Sequence, residues 1–574
     1  MKAGVLPPSL SGPIVKGFDF TRAAFSRKAP GKSKTNSDCK ILLASFLASP
    51  AESPLLSPMK NDPSLIGLAP EVSAEQAAVQ FDLLQKKLEP LWRSIECFNQ
   101  DEQTIVVVPS ISLEMAVTGF EVQGYEERFL FLLLLLAQPR ARLIYVTSQA
   151  IHPSVVEYYL GLLPGVIRSH AMRRLTLLSP YDDSARPLSS KLLERPRLLE
   201  RLAASIQDKD RAHLVCYNTT YLERNLALRL GIPLYGADPR HFSFGTKTGC
   251  RELFAKAGIN HPLGSNNLGS IEEAVAALTK MRAQRPTIVQ AVVKLNEGVS
   301  GEGNAMVDLS NLTTVTEEAI GARVRAMRFE KADTKFDDYA TKFRDRGGVV
   351  EERVGVDAAE VRSPSVQLRV TPLGEVELLS THDQMLGGPS GQSYLGCIFP
   401  ADPAYASAIS RDAAKVADLL RDAGVIGRFA LDFVVTRASE SAAWETYAIE
   451  INLRKGGTTH PFLTLQFLTR GTYDAAGAIF TAPNGQKKFL VASDHLESPR
   501  YRGYTVDDLF DLVVRHGLHF GQTRQTGIVF HMLSALGSTG RLGLTAVGNS
   551  PEEARAIFDH AQRVLDEEAR FDAL

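Results

Sequence analysis

Cysteine is scarce in this sequence of 574 residues, and neither sign of charge is in excess. There are 64 Lys and Arg against 65 Asp and Glu, a formal net charge of -1, which gives no basic surface for a nucleic-acid partner. The five cysteines form no CxxC pair, so we expect neither a disulfide framework nor a structural zinc site, and a reducing compartment fits best. They are Cys39, Cys97, Cys216, Cys250 and Cys397.

Long apolar runs are also missing. The most apolar segment, FLFLLLLLA (129–137), is well short of the roughly 20 residues that cross a bilayer, so we expect a buried helix there and no membrane partner. Residues 1–72 are rich in Ser, Pro and Lys without clear periodicity, which predicts a disordered extension. We therefore expect a cytoplasmic protein, with a cleaved transit peptide as the alternative interpretation of this extension.

Neither GxGxxG nor GxxxxGK[ST] occurs in residues 100–240, so this region is not expected to hold phosphates by itself. Ser73 and Gln76 predict a capping box at the start of a helix. Apolar strands then alternate with helical stretches, and each strand ends in small polar residues, which is typical of a Rossmann-like parallel α/β domain over residues 73–240. The strands are TIVVVPS (104–110), ARLIYVTS (141–148), RRLTLLSP (173–180) and AHLVCYN (212–218).

Two regions of different character follow. Residues 241–480 have longer strands with hairpin-like connections and a helix-rich insertion at 312–345, which indicates an α+β domain. Residues 485–574 mix helical and strand segments and predict a small C-terminal α/β module. The expected fold class is therefore multidomain, α/β and α+β.

A hairpin with polar residues on one face is predicted near residue 441. In VIGRFALDFVVT (425–436) and EINLRKGGTTHP (450–461), polar and apolar residues alternate as in half-buried strands. Folded as an antiparallel hairpin centred near Ser441, these segments place Asp432 opposite Glu450 within about a residue.

Two facing carboxylates repel each other unless a cation lies between them. With Asn452 one pleat along from Glu450, the face offers only oxygen ligands, which suits Mg²⁺. A solvated hairpin face with incidental charge is the competing interpretation.

Three further segments carry charge next to a glycine loop, a helix start or a strand end. VVKLNEGVSGEGNA (292–305) places Lys294 before a glycine loop whose N–H groups can face phosphate oxygens. GTKTGCRELFAKAGI (245–259) begins a helix at Lys247. GGVVEERVG (347–355) is an apolar strand that stops at two glutamates and can offer a hinge to an adenine edge. A hairpin turn, a surface lysine and a solvated strand end are the respective alternatives.

In this order the set resembles the ATP-grasp superfamily, whose members hold ATP between two α+β subdomains and join a carboxylate to an amine through an acylphosphate. Three segments are similar in sequence to the pheganomycin-type peptide ligases of bacteria. They are SPSVQLRVTPLGEVELLSTHDQMLGGPSGQSYLGCIFP, EINLRKGGTTHPFLTLQFLT and TGIVFHMLSALGSTGRLGLTAVGNSPEEA. The similarity extends over about residues 75–570. It implies an ATP-grasp domain at 241–480, after the Rossmann-like domain and before the C-terminal module.

The resemblance implies an ATP site. It would bind the phosphates through Lys247 and Lys294, and close a loop over the γ-phosphate. The loop residues are Gly298, Ser300, Gly301 and Gly303. The adenine hinge would comprise Glu351, Glu352 and the backbone of Val354, with Asp357 or Glu360 as the ribose carboxylate.

The resemblance also implies two Mg²⁺, or Mn²⁺, held by Asp432, Glu450 and Asn452. Arg454 would stabilise the acylphosphate and the tetrahedral oxyanion. Arg428 either does similar work or forms an ion pair with Asp432.

The amine must lose a proton. His382 and Asp383 are the candidates for the base, with His460 as another, whereas His531 on an apolar strand is expected to be a core histidine. Gly456 and Gly457 are expected to let the backbone approach the substrate.

The implied reaction joins a small-molecule carboxylic acid to an amino acid or peptide amine and releases ADP and phosphate. The alternatives are an ATP-grasp carboxylase or kinase, and an ATP-binding regulatory module without turnover. A plain scaffold for protein interaction would require all these charges to be solvated. The sequence leaves the oligomeric state open, with a homodimer as one option.

Overall fold

The computed structural model describes residues 63–69, 71–96, 102–113, 119–298, 303–331, 333–388, 391 and 393–569. Residues 1–62 of the extension predicted for residues 1–72 lie outside this range, as do Ser300 and Gly301 of the predicted phosphate loop. Its described end is ordered, because Pro63–Leu65 forms a 3-10 helix and the Ser64 carbonyl accepts from the Asn225 amide at 3.0 Å, so the prediction of disorder is wrong there. Within the described part of the chain, no helix is both long and apolar enough to span a bilayer.

The first sheet is parallel, as predicted. Its strands are β1 (Gln103–Val108), β2 (Ala141–Val146), β3 (Leu175–Leu178) and β4 (Ala212–Cys216). The spatial order is β3-β2-β1-β4. β2 and β3 are added on one side of β1 and β4 on the other, so the strand order reverses between β1 and β4. The apolar segment at 129–137 forms a buried 3-10 helix, Leu130–Ala137, which confirms its predicted place in the interior.

Helices cover both faces of this sheet. The Ser73 capping box is confirmed: the Ser73 hydroxyl accepts from the Gln76 N–H and the Gln76 side chain accepts from the Ser73 N–H. The single helix predicted after Ser73 is interrupted around Lys86. The helices in this part are Ala74–Gln85, Leu88–Glu96, Gly119–Glu127, Pro153–Gly161, Arg168–Met172, Leu188–Leu193, Pro196–Ala204 and Tyr221–Leu230.

The second sheet has five antiparallel strands in the order β5-β9-β6-β7-β8. They are β5 (Gly264–Leu268), β6 (Gln290–Leu295), β7 (Asn304–Asp308), β8 (Arg328–Phe329) and β9 (Gly348–Glu352). The accompanying helices are Lys247–Ala257, Ile271–Gln284, Glu317–Arg325 and Phe336–Arg346. The last two form the helix-rich insertion predicted from the sequence.

The third sheet is the largest, with nine antiparallel strands. Their order is β15-β14-β11-β12-β13-β18-β20-β19, with the short β10 beside β14. The strands from residue 360 onwards are β10 (Glu360–Arg362), β11 (Pro364–Val370), β12 (Val376–Gly387), β13 (Ser393–Phe399), β14 (Gly427–Arg437), β15 (Glu445–Asn452), β16 (Thr472–Asp474), β17 (Ile479–Thr481), β18 (Phe489–Glu497), β19 (Gly527–His531) and β20 (Arg541–Gly548). β16 and β17 form a separate pair.

The C-terminal segment adds strands to this sheet. The helices Val506–Arg515 and Pro551–Glu568 and the strands β19 and β20 match the predicted segments closely. The strand β18, which the sequence analysis did not identify, pairs with β13 on one side and β20 on the other. Residues 485–574 therefore continue the sheet of the preceding region.

The two faces of the large sheet differ in polarity around β14. One face packs Phe429, Leu431 and Phe433 against the helix Pro403–Asp422 in an apolar core. Cross-strand neighbours share a face, so Asp432 is on the opposite face with its partners Ser365 of β11 and Glu450 of β15. The apolar core thus fixes which side chains form the polar face.

Candidate active site

A cavity of about 490 Å³ lies where the parallel sheet, the five-stranded sheet and the β14–β15 hairpin meet. Its walls include Ser112 after β1, Asn218 after β4 and the segment 296–298 after β6, together with Glu450 and Arg454. The carboxyl ends of β1 and β4 meet at the point where the strand order reverses, which is where open α/β sheets bind ligands.

Asp432 and Glu450 are direct cross-strand partners, which confirms the predicted hairpin register. The Asn452 amide donates to Oδ2 of Asp432 at 2.8 Å. Gln384 of β12 donates to Oδ1 of Asp432 at 3.1 Å. The predicted oxygen cluster is therefore assembled, with Gln384 as a neighbour that the sequence analysis did not identify.

The two carboxylates have opposite pKa shifts. Burial and the negative charge of Glu450 raise the pKa of Asp432 to about 6. Burial alone would also raise the pKa of Glu450, but the positive charges of Lys247 and Arg454 outweigh it and lower that pKa. The Lys247 ammonium lies 2.6 Å from Oε1 of Glu450.

This donor set fits Mg²⁺. The two carboxylates and the Asn452 amide oxygen are hard oxygen donors on one face of the sheet, and Glu450 and Asn452 line the cavity. Burial raises the pKa of Asp432 most, and the negative charge of Glu450 adds to it; a divalent cation would offset this repulsion.

Lys247 is the first residue of the helix Lys247–Ala257, as predicted. The Thr246 hydroxyl caps this helix by accepting from the Gly249 N–H at 3.1 Å. The Lys247 N–H donates to the Asn296 carbonyl at 3.0 Å, and Asn296 lines the cavity. The helix start, its lysine and the loop after β6 are thus held together beside Glu450.

Lys294 takes part in a buried ion triad. Its ammonium lies 2.6 Å from Oε2 of Glu351, and Arg251 Nη1 lies 2.8 Å from Oε1 of the same carboxylate. The two cations outweigh burial and lower the pKa of Glu351. Glu351 is only 3% exposed and its carboxylate accepts from both cations, so its side chain is enclosed; its predicted place at an adenine hinge stays a prediction.

The rest of the predicted hinge is also engaged in contacts. Glu352 accepts from the Leu263 N–H at 2.9 Å. Glu360, a ribose candidate, accepts from Arg437 Nε at 2.9 Å. Val354 and Asp357 lie in the turn after β9. The roles of these residues at adenine and ribose stay predictions.

The glycine loop is described in part. Gly298 lines the cavity, and Gly303 also lines it with a left-handed φ of 90°. A side chain at Gly303 would be strained, and its Cβ would lie 3.3 Å from Leu295. Ser300 and Gly301 lie outside the described residues.

The two predicted arginines lie in different places. Arg454 lines the cavity, and its Nη1 donates to the Tyr217 hydroxyl at 2.9 Å. Arg428 shares the polar face of β14 with Asp432, but it is four residues away and lines a different cavity. No ion pair between Arg428 and Asp432 forms among the described residues, so that interpretation is wrong, whereas a role of Arg428 at the acylphosphate stays a prediction.

His382 and Asp383 are not placed to act as a base. The His382 imidazole is fully buried against Phe399 and Phe462, and burial lowers its pKa to about 3. Asp383 is on the other face of β12, where it accepts from the Tyr405 hydroxyl at 2.7 Å. Both residues serve packing, which corrects the prediction of a catalytic role.

His460 is also remote from the cavity walls, in the helix Thr459–Thr469. It contacts His531, whose predicted burial is confirmed at 3% exposure. At Gly457, a Cβ would lie 2.4 Å from the Tyr394 ring, so packing accounts for this glycine, whereas Gly456 has open space around it. Space for a substrate beside the backbone, which the sequence analysis predicted at both glycines, is therefore present at Gly456 and not at Gly457.

Several cavity residues escaped the sequence analysis. Ser112 donates its N–H to Oδ1 of Asn218 at 3.0 Å, which links the ends of β1 and β4. The Thr220 hydroxyl caps the next helix in a capping box with Glu223. The signal was the run of small polar residues after each predicted strand, which marks the ligand edge of a parallel sheet.

A second cavity of about 1200 Å³ lies between the parallel sheet and the polar face of the large sheet. It is lined by Arg428 and by Lys455, the neighbour of Arg454, together with aromatic residues such as Phe467. Burial and nearby Arg369 lower the pKa of Arg428 to about 10. Its Nη1 has no hydrogen-bond partner in the described part of the chain.

Comparison with protein families gives two matches. Residues 241–332 and 322–476 match the family described as IQCH-like, ATP-grasp. Residues 508–559 match the PGM1 C-terminal domain.

The chain is also similar to individual proteins, among them the following two relatives and one solved structure. It is 29% identical over 450 residues to L-propargylglycine–L-glutamate ligase of Streptantibioticus cattleyicolor, covering 76% of this chain and 89% of that protein. It is 24% identical over 505 residues to IQ motif-containing protein H of Danio rerio, covering 79% of this chain and 47% of that protein. A biotin carboxylase β-γ-ATP complex from Campylobacter jejuni aligns with a TM-score of 0.47 and 12% identity, over 80% of this chain and 91% of that chain.

Proposed function

We propose that this protein, in which residues 241–476 are an ATP-grasp domain, is an ATP-dependent carboxylate–amine ligase. The reaction activates an acid as an acylphosphate, joins it to an amine and releases ADP and phosphate. The observation that supports it most directly is the oxygen cluster of Asp432, Glu450 and Asn452 beside Lys247 at the edge of a cavity. The similarity to a ligase that joins two amino acids supports it independently.

Lys247 and Lys294 would bind the nucleotide phosphates. Each lysine is buried and paired with a carboxylate, Lys247 with Glu450 and Lys294 with Glu351. Phosphate oxygens would compete with these carboxylates for the same ammonium groups. Because Glu351 also accepts from Arg251, it keeps one partner when Lys294 turns to phosphate.

Mg²⁺ would be held by Asp432, Glu450 and Asn452. When bound, it supplies positive charge that offsets the negative charge on the transferred phosphoryl group. The positive charges of Lys247 and Arg454 lower the pKa of Glu450, whereas burial and the charge of Glu450 raise the pKa of Asp432 to about 6, so both carboxylates would be available as ionised ligands above about pH 6. Asn452 and Gln384 orient Asp432 by donating to its two oxygens.

Arg454 would stabilise the acylphosphate and the oxyanion that forms when the amine attacks. Its guanidinium lines the same cavity as Glu450 and is fixed by the Tyr217 hydroxyl. Tyr217 follows β4 directly, so the parallel domain positions a side chain of the large sheet.

The substrates would be a carboxylic acid and an amino acid. Hydrogen-bonding groups at the ends of β1 and β4, such as Ser112 and Asn218, face the cavity and suit the polar groups of an amino acid. Arg454 lines the first cavity and its chain neighbour Lys455 lines the second. Arg428 in the second cavity, whose Nη1 has no hydrogen-bond partner in the described part of the chain, would suit an anionic group of one substrate.

The test is a trapping assay. The purified chain is incubated with ATP, Mg²⁺, pooled amino acids and other carboxylic acids, and hydroxylamine, and the products are identified by mass spectrometry. ADP with a hydroxamate is expected, and the hydroxamate identifies the acid. AMP with pyrophosphate would overturn the acylphosphate route.

Two other outcomes separate the alternatives. ADP that forms with bicarbonate, or a stable phosphorylated product, would assign a carboxylase or a kinase. Tight ATP binding without any product would assign a regulatory module. The Glu450→Gln variant serves as the inactive control in each arm.

A further inference from the structure

Three side chains converge in the interior, away from the cavity that we assign to ATP. His460 is on the helix Thr459–Thr469, Asp494 on β18, and His531 at the end of β19. The Nε2 atoms of the two histidines are 3.0 Å apart. Oδ1 of Asp494 lies 3.0 Å from Nε2 of His460 and 2.7 Å from Nε2 of His531. All three side chains are at most 5% exposed.

With Asp494 ionised in its ion pair with Arg128, protons on the histidines alone cannot satisfy this triangle of atoms. Each imidazole Nε2 carries either one hydrogen or one lone pair. If both nitrogens carry hydrogen, both donate to Asp494, but the two N–H groups then face each other. If one nitrogen lacks hydrogen, its lone pair faces the Asp494 oxygen. One contact in the triangle is therefore always repulsive, whereas a cation in contact with all three lone pairs makes every contact attractive.

The surroundings prepare these side chains for such a role. Arg128 Nη1 donates to Oδ2 of Asp494 at 2.7 Å, so Oδ1 is left for the two histidines. Arg541 Nε donates to the Asp494 carbonyl at 2.7 Å. Ligating carboxylates are commonly oriented by such outer hydrogen bonds.

A glycine makes room for one of the histidines. Gly543 of β20 is the cross-strand partner of His531. A Cβ at Gly543 would lie 2.0 Å from Nε2 of His531, so the imidazole lies directly over this residue. Any other residue at 543 would displace the ring from its position beside Asp494.

We propose that His460, Asp494 and His531 bind one Zn²⁺ ion. Two imidazole nitrogens and one carboxylate oxygen are a common zinc donor set, with a fourth position for another ligand. The absence of CxxC pairs argues only against cysteine ligands, and the three ligands here come from distant parts of the chain.

The ion would join three separate elements. His460 lies shortly after Arg454 and the two glycines, whereas Asp494 and His531 are on strands of the C-terminal segment. The zinc would therefore fasten the segment that carries Arg454 to the C-terminal strands. This structural role does not depend on which reaction the cavity catalyses.

The metal content of the full-length chain tests the proposal. The protein is dialysed into metal-free buffer and its metals are measured by inductively coupled plasma mass spectrometry. About one zinc per chain is expected. His531→Asn should bring the zinc content close to zero, whereas His382→Gln, which alters another fully buried histidine, should retain it.

A second measurement avoids dependence on variant folding. The zinc of the unaltered chain is removed with a chelator and replaced with Co²⁺, which absorbs visible light strongly in tetrahedral sites. We expect that absorption, together with a fall in Tm on metal removal and its recovery with zinc. Metal-free protein whose Tm does not respond to zinc would overturn the proposal. Stoichiometric iron or manganese in place of zinc would overturn the zinc assignment.

Discussion

The Lys247 ammonium lies 2.6 Å from the Glu450 carboxylate, although the two residues are on different elements far apart in the sequence. Lys247 begins a helix that precedes the five-stranded sheet, and Glu450 is on the edge strand β15 of the large sheet. This contact brings the proposed phosphate-binding group and the proposed metal ligand to one point.

Glu450→Gln should reduce ADP formation by more than about 100-fold, because an amide is a poorer ligand for Mg²⁺ and leaves Lys247 without its counterion. The measurement is initial rate of ADP release at saturating ATP. Glu445→Gln, an exposed carboxylate on the same strand, is the matched control and should keep normal activity. Near-normal turnover in Glu450→Gln would refute the metal assignment.

Lys294→Met should mainly weaken ATP binding, whereas Glu351→Gln should mainly reduce stability. Loss of Lys294 removes a phosphate contact, so KM for ATP should rise by about 10-fold or more, while Glu351 keeps Arg251 as a partner. Loss of the Glu351 charge leaves two buried cations side by side, which should cost about 3–5 kcal/mol of stability. Thermal unfolding and ATP titration of both variants distinguish the effects. Equal Tm values would argue against the buried triad.

Asp432 should make the metal-free protein less stable as pH rises. Its folded pKa of about 6 lies above its ordinary value of 3.8, so the folded chain holds a proton between about pH 4 and 6 that the unfolded chain has released. Stability therefore falls through this window and stays lower above it. Asp432→Asn should raise stability at pH 7 by about 1–3 kcal/mol.

The control for this prediction is pH itself. Below about pH 4 the two proteins should have similar stability, because Asp432 is protonated in both the folded and the unfolded chain. Mn²⁺ affinity of the unaltered chain, followed by electron paramagnetic resonance, should weaken as pH falls through about 6. An affinity independent of pH between 5 and 8 would exclude Asp432 as a ligand.

Arg454→Gln should lower kcat by about 100-fold or more if Arg454 stabilises the developing oxyanion. Tyr217→Phe removes only the hydroxyl that accepts from Arg454 Nη1, so it should lower kcat less and leave KM for ATP unchanged. Steady-state kinetics of both variants provide the test. A larger effect on KM for ATP than on kcat would place Arg454 at the nucleotide instead.

Arg428→Met should stabilise the free protein and weaken binding of one substrate. Met removes a buried cation whose Nη1 finds no partner among the described residues, and it nearly preserves the apolar stem. KM for the substrate whose anionic group binds Arg428 should rise, whereas KM for ATP should stay constant. Arg421→Met, an exposed arginine paired on a helix surface, should change neither quantity.

Alternation along the chain was sufficient to predict the β14–β15 hairpin and its register. Asp432 and Glu450 face each other because an apolar core requires Phe429, Leu431 and Phe433 on the other side, and that pattern is visible in the sequence. The family matches confirm the ATP-grasp fold that the ordered motifs indicated. The roles of the individual site residues stay predictions.

Side-chain partners from other elements could not be predicted in this way. His382 and Asp383 stand next to each other in the sequence, but a strand points them to opposite faces, one against Phe399 and the other toward Tyr405. The sequence pattern at Glu351 indicates the end of a strand, but it does not show that Arg251 and Lys294 lie beside its carboxylate. The strand β18 was missed, and with it the continuation of the sheet into the C-terminal segment.

Local structure was predictable from the sequence: the parallel strands and the small polar residues at their ends, the hairpin, and the helix that starts at Lys247. These follow from periodicity, caps and turn composition, which act over a few residues. The contacts between distant segments were visible only in the folded chain. Lys247 lies beside Glu450, and two cations enclose Glu351. His460, Asp494 and His531 come together in the same way. Such contacts depend on how separate sheets pack, because burial selects partners by position in space and not by distance along the chain.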